Sequence, residues 1–210
     1  MIFKDRIEAG NLLAVKLKPY KSDTTIIMAI PRGGVPIGYE IAEQLNLPLE
    51  VVLSKKIGHP LHKEYAIGAV TLKNKILSDA ASEISQNYIE EETKRIRALL
   101  AKRYQDYYGQ KNPLQLKNKT IILVDDGIAT GNTILSTIEM IHDEQPKKII
   151  VAVPVASQSA LQKLQNSDFV DEVICLTAPS HFRAVGQFYQ NFDQVDDVEV
   201  KALLQKATTV

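Results

Sequence analysis

Short aliphatic and β-branched runs alternate along the chain with longer stretches whose apolar positions recur every three or four residues. These are the patterns of buried strands and amphipathic helices. "TTIIMAI" at 24–30 predicts a strand, followed by a turn and a helix over "VPIGYEIAEQL" with Pro36 in its first turn. "LEVVLSKK" at 49–56 predicts a second strand, and "AIGAVTLKNKIL" at 66–77 a hairpin turning near Asn74 and Lys75. A long polar helix is expected over 82–108, acidic at Glu90, Glu91 and Glu92 and basic from Lys94 to Arg103. That charge order suits the helix dipole, and the basic half reads as a solvated face. Further strands are expected at 119–125, 148–153 and 172–176, with helices at 132–144, 157–166 and 196–206. Near the N-terminus, Phe3, Ile7, Leu13 and Leu17 are spaced like one helix face.

Strands that are apolar almost throughout and separated by helices predict an α/β fold, a central, mostly parallel sheet with helices on both faces. No repeat or linker interrupts positions 1–210, so one domain is expected. The hairpin and the 178–192 segment break the alternation. They predict a small hood or cap built from about 57–78 and 177–195.

Composition narrows the function. The 210 residues are 45% hydrophobic, enough for a substantial core. Lys+Arg and Asp+Glu both total 25, which argues against bulk nucleic-acid binding. The single cysteine, Cys175, lies in an apolar run and reads as a small buried hydrophobe; one cysteine excludes an internal disulfide and a zinc site built on paired cysteines. No apolar run reaches membrane-spanning length, and the N-terminus lacks signal-peptide character. A soluble cytoplasmic protein is expected.

In open parallel sheets, ligands bind beyond the carboxyl ends of the strands. That rule selects the loops after Ile30, Leu53 and Val124. The last reads "DDGIATGNT". Its Gly/Thr turn opens a helix, so its backbone N–H groups suit an oxyanion, with Thr130, Asn132 and Thr133 as further donors. The spacing fails the Walker pattern, because Asn132 stands where the second Gly belongs and no Lys follows. The dinucleotide fingerprint fails as well. Asp125 and Asp126 would repel a phosphate but accept hydrogen bonds from vicinal hydroxyls. One acid could simply cap the helix; two at the end of a buried strand call for a ligand, a cation or water. A phosphate beside a diol describes a ribose 5-phosphate. "PRGGVP" after Ile30 and "SKKIGHP" after Leu53 add Arg32, Lys55 and Lys56 at the same sheet edge, which suits a pyrophosphate.

At these residues the sequence resembles the type I phosphoribosyltransferases, and more closely a little-characterised bacterial branch of that family. "IILVDDGIATGNT" is similar to the family's motif for 5-phospho-α-ribosyl 1-diphosphate (PRPP), "IPRGGVPIG" to its pyrophosphate loop and "LSKKIG" to its basic pair. "KKIGHPLHKEYAIGAV", "VPVA" and "FRAVGQFYQNFDQVDD" carry the likeness over nearly the whole chain. The resemblance implies transfer of phosphoribosyl from PRPP to a nitrogenous base, with Mg2+ and release of pyrophosphate. Asp125 and Asp126 would hold the ribose hydroxyls and touch the metal indirectly. Gly127, Ile128, Ala129, Thr130, Gly131, Asn132 and Thr133 would hold the 5-phosphate. Arg32, Gly33, Gly34, Lys55 and Lys56 would hold the diphosphate, with Arg32, Lys55 and Lys56 as the catalytic cations. Residues 59–68 would form a mobile loop, in which His59 and His62 read equally as diphosphate contacts or solvated side chains.

Ala129 stands where the 6-oxopurine enzymes of the family carry an Asp, so a hypoxanthine or guanine acceptor is not expected; Ala is compatible with adenine-type enzymes. The base would lie under the cap, near Phe182, Phe188, Tyr189 and Phe192, with His181 and Arg183 as polar neighbours. The same aromatics could equally pack the cap's own core. The other reading is a PRPP-binding regulator without catalysis, which would usually carry a DNA-binding motif or a basic surface. Neither is evident here. By analogy the protein would be a homodimer, with no nucleic-acid or membrane partner.

Overall fold

The structure, a computed structural model, describes residues 1–207. In chain order its elements are α1 (Arg6–Leu17), β1 (Thr25–Ala29), α2 (Gly34–Leu45), β2 (Leu49–Val51), β3 (Ser54–Gly58), β4 (Ala66–Thr71) and β5 (Lys75–Leu77). They continue with α3 (Gln86–Tyr108), β6 (Thr120–Val124), α4 (Asn132–His142), β7 (Lys148–Val155), α5 (Gln158–Gln165), β8 (Glu172–Thr177) and α6 (Asp197–Ala207). The central sheet has five strands in the order β2-β1-β6-β7-β8, and every pairing is parallel.

Both faces of this sheet are covered, which is why its strands read as unbroken apolar runs. Ile27, Ala29, Ile122, Val124, Ile150 and Ala152 point into a core shared with α1, α2, α3 and α6. Their neighbours Ile26, Met28, Ile121, Leu123, Ile149 and Val151 point into a second core against α4 and α5. The period of two along each strand therefore separates two layers of hydrophobic packing. Local signals fix several ends: Asp5 accepts from the Glu8 N–H at the start of α1, Ser157 caps α5, and Asn46 closes α2 in the left-handed conformation.

Two sequence expectations need correction. The run at 49–56 is two strands in two sheets: β2 ends at Val51, and β3 begins at Ser54 as part of an antiparallel β3-β4-β5 sheet. Val52 and Leu53 are buried where the chain crosses, so hydrophobicity continues through the break and no Gly or Pro marks it. At the N-terminus, Ala9, Leu13 and Leu17 form the buried face of α1, whereas Ile7 is exposed and Phe3 precedes the helix. The hairpin is where the pattern put it, closed by the Thr71 N–H on the Asn74 carbonyl.

The small sheet packs on α3 and α4. A second irregular segment, 178–195, crosses the other side of the strand ends. Phe3 pairs with it: Phe3 N–H donates to the Phe188 carbonyl at 2.8 Å, and Gln190 N–H donates to the Phe3 carbonyl at 2.8 Å. That strap brings the start of α1 beside the ends of β1 and β6. Among the described residues, no helix is long and apolar enough to cross a membrane.

Candidate functional site

Residues Ala29 and Val124 are register partners, so the loops leaving β1 and β6 emerge side by side. The Ile30 N–H donates to the Val124 carbonyl at 2.9 Å and ties the two loops at their roots. The Pro31–Arg32 peptide between them is cis. Gly34 donates its N–H to the Ile30 carbonyl at 3.0 Å, so that amide is engaged within the loop. Arg32 and Gly33 line an open cavity of about 510 Å³ together with Asp126, Arg6, Val185 and residues 192–195.

Asp125 and Asp126 stand at the end of β6, as the sequence requires. The Asp126 N–H donates to Asp125 Oδ1 at 2.9 Å, and the Tyr189 hydroxyl donates to the Asp126 carbonyl at 2.7 Å. Asp126 Oδ2 accepts from Arg6 Nε at 3.0 Å and from Arg6 Nη2 at 2.8 Å. Burial pushes the Asp125 carboxyl well above the usual carboxylate range, and the neighbouring Asp126 charge adds to this. Burial raises Asp126 as well, opposed by the Arg6 guanidinium. Two acids held this way are primed to accept hydroxyl donors, because ligand hydrogen bonds would offset their desolvation.

The loop from Gly127 to Gly131 is anchored from below. Ile128 is buried in the second core, donates its N–H to the Val155 carbonyl and accepts from the Ser157 N–H. The Ser157 hydroxyl donates to the Ala129 carbonyl at 2.6 Å. Gly131, with φ of +80°, takes the left-handed turn that starts α4. Among the described residues, nothing accepts from the N–H groups of Ala129, Thr130, Gly131, Asn132 or Thr133. Five free donors at the positive end of a helix form an oxyanion cradle.

Lys55 and Lys56 lie on β3, are exposed, and do not line this cavity. Lys56 pairs with Glu64 in the connection to β4 at 2.8 Å, a solvent-exposed ion pair of small energy. In the same connection His59 stacks on His62, and Leu61 and Tyr65 are exposed. Of the cap aromatics, Phe188 and Tyr189 are buried and Phe182 stacks on Phe188, so these three build the cap's own packing. Phe192 does line the cavity, with the Arg6 guanidinium 3.9 Å over its ring and Tyr189 stacked beside it. His181 is exposed at the edge of the same segment.

Two cations at the site escaped the sequence reading. Arg6 reaches Asp126 from α1, and Lys163 reaches the phosphate-type loop from α5, donating to the Thr130 carbonyl and to Asn132 Oδ1 at 3.1 Å each. Neither has a local signature. Asp5 as the cap of α1 would at best have located the helix turn that carries Arg6.

Comparison with known proteins bears on this geometry. Residues 6–192 match the model of the phosphoribosyl transferase domain family. A Mycobacterium tuberculosis protein, provisionally named a phosphoribosyl transferase, is 31% identical over 98% of the chain. The match covers 47% of that relative, so the chain spans about half its length. The crystal structure of TT1426 from Thermus thermophilus superposes with a TM-score of 0.85 at 38% identity, covering 98% of this chain and 99% of that one. The purine phosphoribosyltransferase of Pyrococcus horikoshii shares the fold, with a TM-score of 0.50 at 18% identity over 91% of this chain and 93% of that one.

Proposed function

The chain belongs to the phosphoribosyl transferase domain family, and on that premise we propose that it transfers 5-phosphoribosyl from PRPP to a nitrogenous base and releases pyrophosphate. One observation carries the reading: a half-buried pair of acids whose loop runs on into a cradle of free N–H groups, with Asp126 lining the same cavity as Arg32. A sugar with a phosphate at one end and a diphosphate at the other is complementary to that order of charges.

In this reading Asp125 and Asp126 accept from the ribose hydroxyls, and the amides of 129–133 hold the 5-phosphate. The Arg32 guanidinium and the Gly33 amide face the diphosphate. Breaking the bond between ribose C1 and the diphosphate oxygen leaves negative charge on the departing group and positive charge on the sugar ring. A fixed guanidinium stabilises the first, the acid pair lies near the second, and the base nitrogen attacks C1 as the bond opens. Lys55 and Lys56 would join only if the 59–65 connection closes over the bound donor, which would also exclude water.

The donor set suits Mg2+ carried in on the substrate. Among the described residues no group of three His, Cys, Asp or Glu side chains could hold an ion by itself. A carboxylate pair combined with diphosphate oxygens and water is the usual environment of this cation. Bound there, it would neutralise diphosphate charge, and Asp125 and Asp126 would be its protein contacts, directly or through water.

The acceptor would sit over the cavity wall formed by Phe192, Asp193, Gln194 and Val195. Ala129 leaves no carboxylate in the loop for a 6-oxopurine. The test is pyrophosphate release by purified protein with Mg2+ and PRPP across a panel of nucleobases and related amines. Release with one class of base supports transfer. Donor binding without release from any acceptor would make the protein a PRPP-binding regulator instead.

A further inference from the structure

Arg6 is placed with unusual care for a residue on the first turn of a helix. Its Nε and Nη2 both donate to Asp126 Oδ2, its Nη1 donates to the Asp193 carbonyl at 2.8 Å, and its plane lies over the Phe192 ring. The guanidinium is thus fixed on three sides, by an acid of the β6 loop, by the backbone of the cap and by an aromatic face. Its side chain and that of Asp126 are only 11% and 16% exposed, so the pair is weakly screened. Asp126 Oδ1 accepts from no side chain among the described residues.

We propose that Arg6 is a positioning residue of the donor site, which holds the Asp126 carboxylate against the Arg32–Gly33 loop and leaves Oδ1 for a sugar hydroxyl. The inference rests on the PRPP reading for the identity of the ligand, though the geometry it invokes does not. Arg6 thereby couples the cap to the sugar subsite, since the contacts that fix Phe192 and Asp193 also orient the acid. A lysine would keep the charge but lose the planar fork and the stack.

The groups facing Asp126 are Arg6 from α1, Asp125 from its own loop, Arg32 across the cavity, and Tyr189 and Asp193 from the cap. Arg6 is the cation that opposes burial at Asp126. Without it the carboxylate loses both donors to Oδ2 and is free to leave its seat on Gly33.

The experiment compares wild type, Arg6→Gln and Arg6→Lys by ligand-free crystal structures and by calorimetry with PRPP and with inorganic phosphate. In Arg6→Gln the Asp126 carboxylate should leave its seat on Gly33, and in Arg6→Lys it should stay nearer its wild-type place. PRPP affinity should fall by about ten- to a hundredfold in Arg6→Gln and by less in Arg6→Lys, as when a charged group loses its fixed partner. Inorganic phosphate, which has no sugar hydroxyl to offer, should bind all three proteins alike. An unmoved Asp126 in Arg6→Gln, or an equal loss for phosphate, overturns the proposal, because general disruption of the cavity would then account for the effect. If wild type binds no PRPP, the reading of function falls, while the ligand-free structures still decide whether Arg6 holds Asp126.

Discussion

Gly33 is the seat of the Asp126 carboxylate: a Cβ on Gly33 would stand 2.0 Å from Asp126 Oδ2, well inside contact distance. The loop after β1 and the acid after β6 are therefore fitted to one another, and any side chain at 33 must displace the oxygen that Arg6 holds. For Gly33→Ala we expect PRPP affinity to fall by about tenfold or more by calorimetry. Stability should drop by about 1–3 kcal/mol, the usual cost of overpacking, as read from denaturant unfolding.

Asp125 should make stability depend on pH in the opposite sense to a salt-bridged acid. Its folded pKa is raised by burial, so the native state binds its proton more tightly than the unfolded chain does. Stability is then greatest below the ordinary carboxylate range and is lost as pH rises through the raised native value. Asp125→Asn should melt a few degrees higher than wild type at pH 7, with a flatter pH profile, while binding PRPP more weakly. Calorimetric melts from pH 4 to 8 would check the first, and titration with PRPP the second.

Arg32 is half-exposed, and among the described residues its side chain makes no hydrogen bond or ion pair. Replacing it with Ala should therefore change stability by no more than about 0.5 kcal/mol. Pyrophosphate release should nevertheless fall by about a hundredfold or more if it faces the leaving group. Unchanged release would remove Arg32 from the diphosphate site.

Lys163 lies behind the free-amide loop, on the carbonyl of Thr130 and the side chain of Asn132, and it is exposed. An exposed charge contributes little, up to about 1 kcal/mol. Lys163→Gln should raise the KM for PRPP by less than about fivefold with kcat unchanged, and the effect should shrink in high salt. A pyrophosphate-release assay at two ionic strengths measures both.

Ile128 and the acids beside it show how much the chain discloses by itself. The parallel sheet was legible because burial on both faces makes each strand apolar throughout, and 119–125 carried that signature up to the two aspartates. The loop that follows was legible because every helix start leaves its first amides unpaired, and Gly lets the backbone turn them toward an anion. The break at Val52 was hidden, since burial continues across it and the change of sheet is made by neighbours distant in sequence, at Val70 and Thr71.

Sequence alone determined the period-two cores, the strand-acid-loop-helix order and the chemistry those residue types can offer, because each depends on neighbours a few positions apart. Only the tertiary structure decided which charges meet. Arg6 and Asp126 are 120 residues apart and touch because β1 pairs with β6 and the cap straps Phe3 beside their ends. Lys55 and Lys56, expected in the site from their place at a strand end, stand on β3 facing solvent and Glu64. A side chain's type says what it can bind; its partner is chosen by the order of strands in the sheet, and packing across the whole chain sets that order.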